Sequence, residues 1–293
     1  MAKGKRKSRR PELEKYKGDY IIPIMGPTGA GKSSFINLLF GGEERVTVGH
    51  SLNSCTVDLQ PIEIPADMVQ QKLPLWKPAG PTRKLIIVDT PGFDDTSADD
   101  SEILKRVADW LADSYGAGAK LAGVIYLQDI CQRRVTGATK RNFEVFDKLC
   151  GGDACKSVVL GTTQWARIPA DEHDIAGTRE QELRDKFWKD MIRKGSTMKR
   201  VDDTSTKASP WNLIATVLFK GRTPTLLIQQ ELMDMDKSLP QTEAAAVLRG
   251  RIEELIKGLK SSGASKEEVR ALVQEVEALK DKPLLGRLFF WKK

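Results

Sequence analysis

The chain has 293 residues, of which 40% are hydrophobic and 30% are charged, and its formal net charge is +7. The length suits one large domain with an appendage, and the hydrophobic share is typical of a globular protein. No apolar run approaches the roughly 20 residues that a bilayer requires, and the charged N-terminus lacks the apolar segment of a signal peptide. Four scattered cysteines and two histidines give no zinc-ligand spacing, so we expect a cytoplasmic protein in a reducing compartment.

Residues 1–18 carry eight Lys and Arg side chains against two glutamates, which is +6 of the net charge of +7. The rest of the chain is therefore close to neutral. Such a run predicts a disordered, solvated arm. A nuclear localisation signal, which would give a nuclear location, and an arm for anionic lipid or nucleic acid are the alternatives. No specific nucleic-acid site is predicted.

After the arm, the apolar run at 20–26 predicts a buried strand, followed by a helix at 33–40. Further apolar runs predict buried strands that alternate with amphipathic helices. The strands are expected at 84–90, 122–130 and 156–163, and the helices at 100–114, 139–150, 178–195 and 210–219. Strands alternating with helices predict a three-layer α/β domain over 19–221 with a mostly parallel sheet.

The segment 222–293 is predicted to be a helical extension. A helix is expected up to Pro240, followed by helices at 242–260 and 266–281. Their coiled-coil-like apolar stripes are formed by Leu248, Ile252, Leu255 and Leu259, and by Val269, Leu272, Val276 and Leu279. The ten-residue step between the stripes breaks the heptad and predicts a helical hairpin. The hairpin either packs on the main domain or pairs with a second chain.

The C-terminal stretch 283–293 combines large apolar side chains with Arg and Lys. This combination suits peripheral contact with a membrane interface. Packing into a groove of the same protein is the more common arrangement.

The stretch GPTGAGKS at 26–33 fits the pattern G-x-x-x-x-G-K-[ST] between a predicted strand and a predicted helix, which indicates a phosphate-binding P-loop. Main-chain N–H groups and the helix N-terminus would bind phosphate. Lys32 would reach the β- and γ-phosphates as a catalytic group, and the Ser33 hydroxyl would ligate Mg²⁺. The residues expected to bind nucleotide are Pro27, Thr28, Gly29, Ala30, Gly31, Lys32, Ser33 and Ser34.

A second motif, LIIVDTPGFDD, places Asp89 at the end of a strand, where its carboxylate would hold Mg²⁺ opposite Ser33. The Gly92 N–H would sense a γ-phosphate. A threonine between the two motifs should complete the metal shell and act in catalysis. We prefer Thr56 to Thr47 because an apolar–polar strand starts directly after it.

The order of these motifs resembles the septin, chloroplast-import (Toc) and GIMAP-type P-loop GTPases, and is closest to fungal G-domain proteins of this broad type. The stretches GHSLNSCT, GVIYLQDICQRRVTG, RNFEVFDKLCG and TTQW carry the resemblance, which covers residues 19–220. It implies a P-loop NTPase fold that binds GTP and GDP with Mg²⁺. It also implies slow GTP hydrolysis and a homodimer across the nucleotide face.

Phe93 departs from the wider GTPase pattern, because it stands where many small GTPases carry the glutamine that orients water. Phenylalanine cannot polarise water. Hydrolysis is therefore expected to be slow or to use a group from elsewhere.

The chain also departs from the guanine-reading motif [NT]-K-x-D. It reads Thr162-Thr163-Gln164-Trp165 there and lacks the carboxylate of the motif. Thr162 and Thr163 are expected at the nucleotide, with Thr163 or Trp165 covering the base by stacking. Ser209 is expected to touch the base from a later loop. The residues themselves leave guanine and adenine open.

We therefore expect a guanine-nucleotide-binding, Mg²⁺-dependent switch with weak GTPase activity, completed by dimerisation or by a partner. Two alternatives remain. One is a nucleotide-dependent assembly protein with negligible hydrolysis, and the other is an ATP-binding P-loop protein.

Overall fold

The computed structural model describes residues 10–48, 58–78, 80, 83–93, 100–201, 209–262 and 265–280. Residues 1–9, Thr56 and residues 283–293 lie outside the described residues. The expectations for residues 1–9 of the basic arm, the switch threonine and the C-terminal membrane contact therefore stay predictions. Over residues 10–18 the predicted disorder is wrong, because Pro11–Tyr16 form a 3₁₀ helix and Leu13 is buried in the hydrophobic core.

A mostly parallel sheet forms the centre of the molecule. Its strands are β1 (Tyr20–Met25), β2 (Gln60–Ile64), β3 (Leu85–Asp89), β4 (Lys120–Leu121), β5 (Val124–Asp129), β6 (Val158–Thr163) and β7 (Thr197–Arg200). Within the described residues the strand order is β2-β3-β1-β5-β6-β7, with β4 also paired to β1. β2 runs antiparallel to β3, and the other pairs are parallel.

Helices cover both faces of the sheet, which confirms the predicted three-layer α/β fold. Successive side chains of β1 point to opposite faces, as in any strand: Ile21 joins one hydrophobic cluster and Ile22 the other. The first cluster lies under α3 (Asp100–Gly116) and α4 (Gly137–Cys150), and the second under α1 (Lys32–Leu39) and α7 (Ser209–Leu218). The remaining helices of the main domain are α2 (Ala66–Lys72), α5 (His173–Glu182) and α6 (Lys189–Arg193).

The helix predicted at 178–195 is interrupted in the structure. α5 ends at Glu182, a π-helical turn covers Leu183–Phe187, and α6 follows. The Trp188 N–H donates to the Leu183 carbonyl over 2.7 Å. Both side chains are buried, because the wider π turn puts residues five apart on the same face.

The helix predicted for 223–240, up to Pro240, is also shorter than expected. Only α8 (Leu227–Gln229) and a second π turn (Gln230–Asp234) are helical before the short 3₁₀ turn Leu239–Gln241.

The predicted hairpin is present as α9 (Glu243–Ser261) and α10 (Lys266–Ala278), which pack on each other, on α4 and on α3. Its buried side chains join the hydrophobic cluster under α3 and α4. The expected stripe is wrong at Leu255, which is 41% exposed, whereas Ile256 is buried. The reason is that α9 lies along a domain surface, where buried residues follow the straight helical period and not a heptad. None of the helices in the described ranges is both long and apolar enough to cross a bilayer.

Candidate functional site

The loop that joins β1 to α1 lies at the carboxyl ends of the parallel strands, where ligands bind in open α/β sheets. Gly31 is the N-cap of α1 and has a φ of 83°, in the left-handed region that favours glycine. It has no side chain that could accept hydrogen bonds from the first amides of α1. The helix N-terminus therefore offers its N–H groups and partial positive charge to an anion.

Lys32 is folded over this loop and is only 7% exposed. Its Nζ donates to the Gly26 carbonyl over 3.1 Å and to the Pro27 carbonyl over 2.9 Å. These contacts hold the ammonium group at the rim of the loop, where it can neutralise phosphate charge.

Ser33 and Asp89 face each other beside the loop. The Ser33 hydroxyl donates to Asp89 Oδ2 over 2.8 Å, and Asp89 is completely buried. The next residue fixes the end of β3, because the Thr90 hydroxyl donates to the Ile24 carbonyl over 2.8 Å. A hydroxyl and a carboxylate oxygen fit Mg²⁺, which takes few protein ligands and completes its shell with water and phosphate oxygens.

The segment after β3 is attached to the loop. The Thr28 N–H donates to the Phe93 carbonyl over 3.0 Å, in a parallel bridge between Pro27 and Phe93. A Cβ on Gly92 would lie 2.5 Å from the Thr28 nitrogen, so only glycine fits there. Phe93 is 3% exposed and packs in the core under α3.

Thr162 and Thr163 at the end of β6 contact different parts of the molecule. The Thr163 hydroxyl lies 2.8 Å from the Ala30 carbonyl and 3.2 Å from the Gln128 carbonyl, so it connects β6 to the phosphate loop. The Thr162 hydroxyl donates to Glu180 Oε1 over 2.9 Å, and the structure therefore directs it away from the loop.

Trp165 is 4% exposed, and its indole N–H donates to the Thr162 hydroxyl over 3.0 Å. The Arg200 guanidinium lies 3.7 Å above its ring, and Glu180 accepts two hydrogen bonds from this guanidinium. This packing does not fit the suggestion that Trp165 stacks on a base.

Gln164 lies beside the phosphate loop, a position that the sequence did not reveal. It has a φ of 66°, and its Nε2 lies 3.3 Å from the position that a Cβ on Gly31 would occupy. Its side chain thus extends over the end of the phosphate loop. Nothing in the sequence signals a left-handed glutamine, because asparagine and glycine are the usual residues there.

Together the structure brings residues 27–34 of the loop next to Asp89, Gly92 and Thr163. Ser209 begins α7, and residues 202–208 before it lie outside the described ranges, as does Thr56. The roles of all these residues stay predictions.

Residues 21–163 match the family described as 50S ribosome-binding GTPase. The chain is also 32% identical over 92 residues to Cell division control protein 11 of Encephalitozoon cuniculi (strain GB-M1). That match covers 31% of this chain and only 28% of the length of the relative.

Among solved structures, the chain is similar to Toc33 from Arabidopsis thaliana in complex with Mg²⁺ and GMPPNP. The TM-score is 0.53 at 15% identity, covering 73% of this chain and 89% of Toc33. A structure of the chloroplast translocon components atToc33 and psToc159 gives a TM-score of 0.52 at 15% identity, covering 72% of this chain and 86% of that one. At such identities the likeness shows the fold. Together with the phosphate-loop motif, these matches show a P-loop GTPase fold similar to that of Toc33, extended by C-terminal helices, and a similarity of residues 21–163 to the GTPase family named above.

Proposed function

We propose that this G domain binds GTP and GDP with Mg²⁺ and acts as a nucleotide switch that hydrolyses GTP slowly. The observation that carries the proposal is the 2.8 Å contact between Ser33 and Asp89, directly beside the loop that Lys32 closes. It joins two oxygen ligands from separate motifs at the point where a polyphosphate would lie. Toc33, whose fold is similar, has been solved with Mg²⁺ and GMPPNP.

In this mechanism the loop amides and the Lys32 ammonium neutralise the negative charge that develops on the phosphates. Ser33 and Asp89 would hold Mg²⁺, which would neutralise negative charge on the phosphate oxygens. Gly92 would sense the γ-phosphate, and Thr56 would complete the metal shell.

The chain offers no glutamine at position 93, where Phe93 is buried in the core. A group from another chain would therefore complete hydrolysis, and a homodimer across the nucleotide face would supply it. Arg133 supports this proposal, since it lies between β5 and α4 at the same sheet edge as the loop and its side chain is 79% exposed. Dimerisation is important for the GTPase activity of the translocon components atToc33 and psToc159.

We propose a cytoplasmic protein whose C-terminal stretch 283–293 gives it peripheral contact with membranes.

Nucleotide binding is tested by Lys32→Ala. Loss of the buried ammonium should abolish binding of labelled GTP and GDP in a fluorescence titration, because phosphate charge is no longer balanced. Lys189→Ala removes an exposed lysine of α6 and serves as the control, which should bind like the wild type. Unchanged binding by the Lys32 variant would refute the loop assignment.

Catalysis in trans is tested by measuring GTP turnover per molecule at increasing protein concentration. The rate should climb with concentration in the wild type and stay low and flat in a chain with Arg133→Ala and Arg134→Ala. The matched control carries Arg184→Ala and Arg193→Ala, two exposed arginines near α6. A flat, near-zero wild-type rate favours an assembly protein with incidental hydrolysis.

A further inference from the structure

We propose that Glu180 of α5 is a positioning residue for bound nucleotide, because its carboxylate fixes the turn after β6 that supports the phosphate loop. Loss of this carboxylate would let the turn shift and the loop release nucleotide faster. The inference rests on the proposed nucleotide binding and deepens it, since it names a side chain outside the loop that controls how long nucleotide stays bound.

The first step is the contact between the turn and the phosphate loop. The Thr163 hydroxyl lies 2.8 Å from the carbonyl oxygen of Ala30, a loop residue with no exposed surface. The side-chain nitrogen of Gln164 lies 3.3 Å from the position that a Cβ on Gly31 would occupy. The turn therefore supports the loop at the two residues that precede Lys32.

The second step is the conformation of the turn. Gln164 has a φ of 66°, in the left-handed region that is uncommon for residues other than glycine. On one side of the turn, the Cys131 thiol donates to the Gln164 carbonyl over 3.4 Å. On the other side, Trp165 is 4% exposed, and its indole N–H donates to the Thr162 hydroxyl over 3.0 Å. The position of the turn thus depends on how the Thr162 hydroxyl is oriented.

The third step is the role of the carboxylate in this orientation. The Thr162 hydroxyl has one proton, which it donates to Glu180 Oε1 over 2.9 Å, and its oxygen accepts the Trp165 N–H. Glu180 Oε2 accepts two hydrogen bonds from the Arg200 guanidinium, over 2.9 and 2.7 Å. This guanidinium lies 3.7 Å from the centre of the Trp165 ring. Glu180 therefore joins α5, β6 and β7 around one buried indole.

The fourth step is the effect of losing the carboxylate. The side chain of Glu180 is 16% exposed, and Thr162 is fully buried. Hydrogen bonds to a carboxylate in such a setting are stronger than neutral ones. Without it, the Thr162 hydroxyl and the Arg200 guanidinium lose this acceptor, and the hydroxyl can rotate away from the indole. We therefore expect the turn, and with it the support of the phosphate loop, to depend on Glu180.

The test measures how fast labelled GDP dissociates from the full chain, with Mg²⁺ present, after unlabelled GDP is added in excess. Glu180→Ala should raise the dissociation rate by at least about tenfold. Glu182→Ala removes the same charge from an exposed position of the same helix and should leave the rate unchanged. Ile252→Ala in α9 should lower the stability without changing the rate, which separates positioning from a general loss of stability.

A double-mutant cycle tests whether Glu180 acts through the contact of Thr163 with the loop. Thr163→Val removes the hydroxyl and keeps the shape of the side chain. In a chain that carries Thr163→Val, the further change Glu180→Ala should raise the dissociation rate by less than about twofold, because both changes act on one contact. Full multiplication of the two single effects would overturn the inference, and so would an unchanged rate in the Glu180 variant alone.

A second variant keeps the test valid if Glu180→Ala does not fold. Thr162→Val retains the ion pair of Glu180 with Arg200 and removes only the link from the carboxylate to β6. It should also speed GDP release, and an unchanged rate would overturn the inference. A wild-type chain that binds no labelled GDP would instead refute the proposed function itself.

Discussion

Phe93 is fixed at its main chain and at its side chain. Its carbonyl accepts the Thr28 N–H, and its ring is 3% exposed in the core under α3. A residue in this position cannot turn towards a γ-phosphate without leaving the core. Its role at the residue scale is to anchor the segment that follows Gly92.

Phe93→Ala should therefore lower the free energy of unfolding by about 3–5 kcal/mol, the usual range for a buried phenylalanine. Phe219→Ala removes a ring that is 54% exposed and should cost less than about 1 kcal/mol. Urea unfolding followed by circular dichroism measures both changes. Equal losses in the two variants would show that the ring of Phe93 does not stabilise the core.

The residues of the phosphate loop could be predicted from the sequence because glycines, lysine and serine at fixed spacing have few other uses. Thr162 and Thr163 could not be separated in this way. Adjacent residues of a strand point to opposite faces, and the sequence does not tell which face meets the loop. Trp165 was also ambiguous, because an indole ring suits both burial in a core and stacking on a base.

At the scale of elements, α10 contacts the beginning of α3, which follows directly on the segment after Phe93. Glu275 Oε1 of α10 accepts the Ser101 N–H over 3.1 Å, so a distant helix satisfies one of the first amides of α3. Nearby, Arg141 of α4 pairs with Asp100 over 3.0 Å, with little of either side chain exposed. The negative charge of Glu275 also suits the positive end of the α3 dipole.

Glu275→Ala should destabilise the protein by about 1–3 kcal/mol, because it leaves a buried amide unsatisfied. The same variant should speed hydrogen exchange in the first turn of α3, which mass spectrometry of peptides covering 100–106 can measure. Glu277→Ala, an exposed neighbour that pairs with Lys280 one turn later, is the control. Unaltered exchange at α3 in the Glu275 variant would contradict the capping role.

Three of the elements that the sequence missed depend on contacts with the rest of the fold. β7 is short and polar, and its hydrogen bonds with β6 make it a strand. The π turns at Leu183–Phe187 and Gln230–Asp234 depend on tertiary burial, which helical periodicity does not encode. By contrast, the strands of the central sheet were predictable because they are buried on both faces.

At the scale of the whole molecule, the G domain and the C-terminal helices share one hydrophobic cluster that runs from Leu13 to Leu279. A bidentate ion pair adds to this contact, with Arg251 of α9 donating to Glu144 of α4 over 2.6 and 2.8 Å. Because the same core includes Trp188, unfolding of α9 should be reported by tryptophan fluorescence.

Thermal unfolding should accordingly show one transition, with coincident midpoints by fluorescence and by circular dichroism. Ile252→Ala, at a side chain that is 1% exposed, should lower the free energy of unfolding by about 2–5 kcal/mol. Leu255→Ala, on the exposed side of α9, should cost less than about 1 kcal/mol. Two separated midpoints would mean that the hairpin unfolds independently.

The two attachments around Gly92 also limit how the chain can vary in length. Thr90 is held to Ile24 by its hydroxyl and Phe93 to Thr28 by its carbonyl. The spacer between these points is pinned at both ends, so a deletion there would pull either Asp89 away from Ser33 or the ring out of the core. Insertions there would bulge into the space for phosphate and disturb the site.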